Sequence, residues 1–443
     1  MPDGWAWCRL QTFCFPISDG THQTPTYTNE GYIFLSAKNV TSWKIDWDNV
    51  MHIPESLHNE LSKRISPKKN DILLAKNGTI GVAAIVDRDC DFDIYVTLAV
   101  LRTINTSILP QYLLNAIATS TIQNEFRSTL KGIGVQNLHL EHIRRTLIPI
   151  PPYNEQKIIS EKVDEIIPLL EYITDIYVEL DSAISILKSK ILELAIQGKL
   201  VEQDPNDEPA SILLERIRAE KKAQLGKKYV KSYIYKGDDN YYYEKIGSEV
   251  KNITEEIPFE IPKTWSWCRL GEYCQKVTDQ VASGSFAALR ENVPSLKAPD
   301  YAIMVKTADF SHNFTQDLTY TTKAGYDFLG NSNLFGGELI LSNIGSVGKV
   351  FIVPKLQKKM TLAPNSIMLR FYEEIQKDYF YYFFLSPIGL MHLLSISRGA
   401  TILKFNKTDL KTLPIPIPPI NEQLRMVTQI QKLFEMVELK DEA

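Results

Sequence analysis

Four stretches of this chain carry side chains at spacings that chemistry could use. "NIGSVGKV" (343–350) imitates a phosphate-cradling loop and "IPPY" (150–153) imitates an amine-holding methylation motif. Cys8 and Cys14 recur as Cys268 and Cys274, and His139 stands three residues from His142. Each lacks a part. A phosphate loop needs Gly where Asn343 stands and a magnesium-binding hydroxyl where Val350 stands, so this one reads as a hairpin turn. An amine needs a side-chain acceptor where Ile150 has none. The cysteines have no partnering His or Cys pair to complete a zinc site, and the positions matching His139 and His142 hold Asn406 and Asp409. The acidic run "DRDCDFD" (87–93) lacks the Gly turn and bidentate Glu of a calcium loop and reads as a solvated loop. No Pro-Asp with a following acid-x-Lys nuclease core is present. The chain is therefore expected to be non-catalytic by itself, with no metal and no cofactor of its own.

Composition sets wider bounds. A length of 443 residues gives room for about three domains. No apolar run approaches the ~18 residues of a membrane span, and "MPDGWAWCRL" lacks a signal-peptide pattern, which points to the cytoplasm. Five cysteines, an odd number, read as reduced thiols. A net charge of −4 argues mildly against wrapping nucleic acid by bulk electrostatics, so local patches must do any such work.

The elements that must position any site are written twice. "GWAWCRLQTFC" (4–14) recurs as "TWSWCRLGEYC" (264–274) at an offset of 260, and "DILLAKNGTIGVAAIV" (71–86) recurs as "ELILSNIGSVGKVFIV" (338–353) at 267. "KGIGVQNLHLEHI" (131–143) maps onto "RGATILKFNKTDL" (398–410), and "TLIPIPPYNEQ" (146–156) onto "LPIPIPPINEQ" (413–423). A duplicated unit supplies its own alignment: what both repeats retain is framework, and what differs is free for a repeat-specific task. Residues 15–68 and 87–130 share almost nothing visible with 275–335 and 354–397. Paired short strands about a Gly turn, further aromatic and β-branched strands, and an amphipathic helix over 110–130 predict an α+β unit with a mostly antiparallel sheet.

In "IPIPP" the prolines force extended backbone and donate nothing to a ladder, so the stretch is an edge strand or connector. Asn154 is the expected N-cap of the helix that follows. Along it Ile159, Val163, Ile166, Leu170, Ile173, Tyr177, Leu180, Ile184, Leu187, Ile191 and Leu194 alternate at spacings of four and three, a heptad seam. Gly198 is the expected stop, Pro168 the expected bend, and the span is roughly 65 Å. The second repeat begins the same seam with Met426, Ile430, Leu433 and Val437. The two seams are expected to pack antiparallel, with the repeats at opposite ends of a rod. The basic, Tyr-rich stretch "KKYVKSYIYKGDDNYYYEK" (227–245) reads as a solvated connector.

Taken together, "IPIPP" with its NEQ triplet in both repeats, the "NGTIG" and "IGSVG" hairpins, "ILELAIQGKLVEQDPNDEPASILLERIRAEK" (191–221) and "IPKTWSWCRLG" (261–271) resemble the DNA-specificity subunit of type I restriction-modification enzymes. The resemblance covers the whole chain. It implies target-recognition domains over 1–153 and 264–420, a central spacer helix and short helix over 154–225, a linker over 226–263, and a second, shorter spacer helix over 421–443. Each domain would read one half of an asymmetric bipartite site in double-stranded DNA. Two methyltransferase subunits would bring S-adenosylmethionine and the methylating chemistry, and restriction subunits would bring ATP- and Mg-dependent translocation and cleavage. The reading contacts are expected at the hairpin turns and basic segment ends: Lys76, Asn77, Thr79, Arg127, Lys131 and Gln136 in the first repeat, and Asn343, Ser346, Lys349, Arg398, Thr401 and Lys404 in the second. The family pattern usually closes a pseudo-circle with a further segment like 191–201, and its absence here leads us to expect one weakened methyltransferase platform. A recognition subunit of a related type II enzyme and a coiled-coil interaction scaffold are the alternatives.

Overall fold

A computed structural model describes residues 1–104, 108–130, 136–372 and 375–438. It divides into two compact units, Met1–Val178 and Glu179–Ala443. In unit 1 the larger sheet runs Cys14–Asp19, Leu98–Thr103, Ile72–Ala75, Ala83–Ile85, all antiparallel. Its counterpart in unit 2 runs Lys276–Asp279, Ser366–Arg370, Leu339–Ser342, Val350–Ile352 in the same order and sense. A smaller sheet follows the same correspondence: Tyr32–Leu35 lies between antiparallel Met51–Ile53 and parallel Phe92–Ile94, as Ala302–Val305 lies between Tyr320–Thr321 and Lys359–Leu362. The stretches that share no visible sequence therefore share the order of their core strands, to which the second repeat adds Asn333–Leu334 beside Lys359–Leu362 and the helix Phe286–Asn292.

The central strands are apolar without alternation because both faces are covered. Ile72, Leu74, Ala99 and Leu101 face a helical layer, while Leu73, Ala75, Leu98 and Val100 face the smaller sheet. Leu339, Leu341, Ile367 and Leu369 against Ile340 and Met368 repeat the division. The helical layer differs from expectation. The helix predicted over 110–130 is two helices, Pro110–Ala118 and Ser120–Ser128, broken where Thr119 takes extended backbone, just as Ser386 separates Lys377–Leu385 from Pro387–Ser395.

The doubled proline strand closes each unit. Leu147–Ile150 pairs antiparallel with Ala6–Arg9, and Pro414–Ile417 with Ser266–Arg269. Around these ribbons the retained residues make matching bonds. Tyr112 Oη donates to the Pro149 carbonyl and Tyr379 Oη to that of Pro416. Gln156 Nε2 donates to Pro151 O at 3.1 Å and Gln423 Nε2 to Pro418 O at 2.9 Å. Trp5 Nε1 donates to Glu155 at 3.1 Å and Trp265 Nε1 to Glu422 at 2.9 Å. Arg9 reaches Arg145 O at 2.7 Å, and Arg269 reaches Thr412 O at 2.6 Å. The NEQ triplet is thus joinery: its Glu holds the indole and its Gln takes up a proline-strand carbonyl. Asn154 lies in the first turn and does not cap it, since the Pro152 carbonyl already accepts from the Glu155 and Gln156 amides.

The central helix spans Tyr153–Ile196 and continues through Pro168. Its seam is only partly covered. Ile159 packs on the first unit's core, Val163, Leu180 and Ile184 are half-buried, and Ile166, Leu170, Ile173, Tyr177 and Leu187 are exposed. At the far end Ile191 is buried together with Leu192, Ala195 and Ile196, while Leu194 is half-buried, because helix Ile420–Glu438 and the aromatic helix Lys377–Leu385 share that core and widen the buried face beyond one heptad stripe. Within unit 2 the chain runs antiparallel to helix Ile420–Glu438: Lys188 on the central helix bonds Glu438 at 2.7 Å, and Asp207, in the loop beyond that helix, bonds Arg425 at 2.6 Å. Met426 and Ile430 are buried there, with Leu433 and Val437 half-buried. The linker of 226–263, including the stretch 227–245 expected as a solvated connector, contains a three-stranded antiparallel sheet, Ser232–Lys236, Tyr242–Ile246 and Glu249–Asn252. Tyr242 and, just after the third strand, Ile253 cover Trp267, while buried Ser232 and the Glu244 carboxylate, which holds Arg269 at 2.6 Å, fill the rest of that face. Among the described residues no helix is long and apolar enough to cross a membrane.

Glu422 is 1% exposed. Burial raises its carboxyl pKa, against the lowering by its Trp265 and Gln203 donors. A carboxyl whose folded pKa lies above its unfolded value contributes stability that is full below the unfolded pKa and is lost as pH rises through the folded one. Glu422→Gln should therefore flatten the fall in stability above about pH 4 and leave the chain at least as stable at neutral pH. Melting temperatures of the two proteins across that range check this, and an unchanged slope would refute it.

Candidate nucleic-acid interface

Each large sheet turns through a hairpin whose glycines are demanded by the backbone. Gly78 and Gly345 take φ of +71° and +77° at open tips, where an added Cβ would meet nothing. Gly81 and Gly348 take +86° and +97° and are close-packed: a Cβ would stand 2.7 Å from Gln123 Oε1 in one repeat and 2.6 Å from Leu390 Cδ1 in the other. A polar clamp thus stands in the first repeat where an apolar one stands in the second. Gln123 also donates to Gly81 O at 2.9 Å.

The residues expected to read DNA fall into different places. Lys76 does not reach the surface. It is 4% exposed, and its ammonium lies 2.6 Å from the buried Asp19 carboxylate. A cation that deep needs a partner more than a phosphate contact allows. Asn77 is half-buried at the tip, and the Thr79 hydroxyl is spent on the Val40 carbonyl at 3.0 Å, pinning the turn to the short helix Ala37–Asn39. Arg127 is exposed one turn beyond Gln123. Gln136 is exposed two residues before Leu138, whose amide bonds Lys76 O at 2.9 Å. Lys131 lies outside the described residues.

In the second repeat the gathering is tighter. The exposed segment 398–404 closes on itself through reciprocal Arg398 and Lys404 backbone bonds of 2.8 and 2.9 Å, and Gly345 N bonds Leu403 O at 3.0 Å. Arg398, Thr401 and Lys404 therefore share one surface with the hairpin that carries exposed Ser346 and Lys349. Arg398 stands 3.3 Å from Asp409. Asn343, the counterpart of Lys76, turns its amide to Phe405 O at 2.9 Å.

The carboxylate at the end of the first large-sheet strand was overlooked in the sequence, although Asp19 and Asp279 recur at the same offset of 260 as the Trp-Cys opening. Asp19 receives Lys76, Arg64 at 3.0 Å and His22 at 3.5 Å. Burial alone would raise its pKa, but the Lys76 bond and charge, with His22, hold it below the usual value. Asp279 instead receives Lys407 at 2.8 Å and caps the Ala282 amide at 2.9 Å. The position is common to both repeats, while its cation comes from a different element in each.

Among the described residues no group of three His, Cys, Asp or Glu side chains is arranged to hold a metal. Burial pushes the Cys14 and Cys268 thiols up to about 12, so they stay protonated.

Two α+β domains that share one core strand order and differ in surface define a duplicated architecture, with the long helix Tyr153–Ile196 running out of the first. The type I restriction modification DNA specificity domain matches residues 18–182 and 262–442, and the chain belongs to that family. It is 27% identical over 264 residues to the EcoEI specificity subunit of Escherichia coli, covering 58% of this chain and 41% of that protein. The match thus spans less than half of that relative. The EcoKI specificity subunit of Escherichia coli strain K12 is 22% identical over 452 residues, covering 98% and 83%. A solved structure titled as the structural basis of complex assembly and conformational transition of the type I R-M system shares the fold, with a TM-score of 0.58 at 18% identity over 99% of this chain and 92% of that one.

Removing the Asp19 carboxylate strands a buried ammonium. Asp19→Ala should lower the unfolding free energy by about 3–5 kcal/mol. Asp279→Ala, whose partner Lys407 is 30% exposed, should lose about 1–2 kcal/mol. Urea denaturation measures both, and equal losses would show that the two pairs are energetically alike.

Proposed function

We propose that this chain is the DNA-specificity subunit of a type I restriction-modification assembly. Each target-recognition domain reads one half of an asymmetric bipartite site in double-stranded DNA. Methylation and cleavage are then carried out by partner subunits: two methyltransferases holding S-adenosylmethionine, and restriction subunits using ATP and Mg. The observation that carries this reading is the separation of framework from surface. The same ribbon, tyrosine, tryptophan, arginine and glutamine bonds recur in both repeats, while the side chains around the hairpins do not match. Identical surfaces would suit a palindrome, and unlike ones suit two different half-sites. The family and the named relatives favour the type I form over a type II recognition subunit, and a plain scaffold would leave the divergent faces without a task.

Footprinting of the chain co-purified with its methyltransferase subunits should give two protected patches with an unread gap between them. The chain alone, incubated with labelled S-adenosylmethionine and DNA, should incorporate no methyl group. Absence of any protection by the complex would defeat the reading.

A further inference from the structure

In each repeat a cleft opens beyond the end of the first large-sheet strand. In the first it holds about 510 Å³ between the loop Gly20–Thr26, which leaves the strand ending at Asp19, and the segment around Arg64. In the second it holds about 680 Å³ beside Asp279 and Gln280, which end the matching strand, and reaches the base of the hairpin at Ser342 and Asn343. The place is common, and the lining is not. That is the arrangement two readers of unlike half-sites require.

The first cleft carries a mixed donor and acceptor pair. Arg64 stands four residues after Glu60, but its guanidinium turns instead to Asp19 at 3.0 Å. The bond to a carboxylate that is itself only 6% exposed fixes one edge of the fork, and the side chain remains 52% exposed, leaving the rest of the fork toward the cleft. Asp19 already neutralises Lys76 at 2.6 Å, so the Arg64 charge is left over. Glu60 lines the same cleft and has no ion pair among the described residues. The other carboxylate there, Asp93, is engaged by His58 at 2.7 Å. Phosphates would be met by cations alone. A free acceptor beside a preorganised arginine fork fits base edges: arginine donates to guanine O6 and N7, and a carboxylate accepts from the cytosine amino group. In the second cleft Arg290 is exposed and has no ion pair among the described residues, and Phe286, 78% exposed, stands on the margin where apolar contact with a base is available.

We propose that these two clefts are the base-reading sites, that Arg64 with Glu60 reads a G·C pair in the half-site of the first repeat, and that Arg290 reads in the half-site of the second. Asp19 acts as the positioning residue for Arg64. The inference rests on the specificity-subunit reading and assigns its contacts to side chains away from the hairpin tips.

The test is the methylated motif and half-site binding of the complex co-expressed with its methyltransferase subunits. Arg64→Ala should relax one G·C position in one half of the motif and weaken binding to that half roughly 10- to 100-fold, with the other half still read. Arg290→Ala should do the converse. Arg64→Lys, which keeps the charge and loses the fork, should retain most DNA affinity while losing the guanine preference. Both arginines are exposed, so unchanged melting temperatures should accompany these effects. An unaltered motif in Arg64→Ala and Arg290→Ala would overturn the inference and leave the specificity-subunit reading standing. Failure of the unsubstituted complex to select any motif would overturn both.

Discussion

A strand made of alternating prolines cannot satisfy its own surroundings, and both domains are organised by the response to that constraint. Pro149 and Pro151, like Pro416 and Pro418, present carbonyls without offering amides. A tyrosine hydroxyl and a glutamine amide from elsewhere in each unit meet those carbonyls. Because the glutamine sits in the first turn of the following helix, satisfying the strand also fixes the launch of the helix. Because the tyrosine belongs to the helical layer, the same bonds fix that layer on the sheet. The Trp strand that pairs with the prolines then closes the domain from its other terminus.

The two joints are built alike and burdened differently. Trp7 is 53% exposed and Trp267 2% exposed, the latter because Tyr242 and Ile253 of the 232–253 region lie over it. Glu155 is half-exposed, whereas Glu422 is enclosed and also accepts from Gln203. A buried carboxylate is tolerable only with donors of this kind. The same contrast governs the strand ends, where Asp19 is sealed in with Lys76 and Asp279 stays nearer solvent with Lys407. Framework positions thus keep their residue types while the electrostatic cost at each is met in its own way.

Surface divergence is supported by this rigidity. The hairpins in both repeats hold their glycine geometry to within a few degrees at the tip, yet one is clamped by Gln123 and the other by Leu390. Inward-turned Lys76 and Asn343 occupy one structural position with unrelated duties. A fold that holds its junctions this firmly can vary the lining of a cleft without moving the cleft.

Much of the framework was legible in the sequence alone. The offsets of 260 and 267, the Gly-turn hairpins, the proline strands and the helix after them all stand in local pattern, since backbone geometry and hydrophobic period are properties of neighbouring residues. The candidate site was legible only as a region. Whether Lys76 faces DNA or Asp19, whether the helix of 110–130 breaks at Thr119, and whether a Tyr-rich stretch is connector or sheet depend on partners distant in the chain. So does the common core strand order of 15–68 and 275–335, where burial selects apolar positions but leaves their identities free. Sequence by itself determined that one unit is written twice. Tertiary structure decided which charges are enclosed and which are offered, because a charge turns inward only where a distant residue stands ready to meet it.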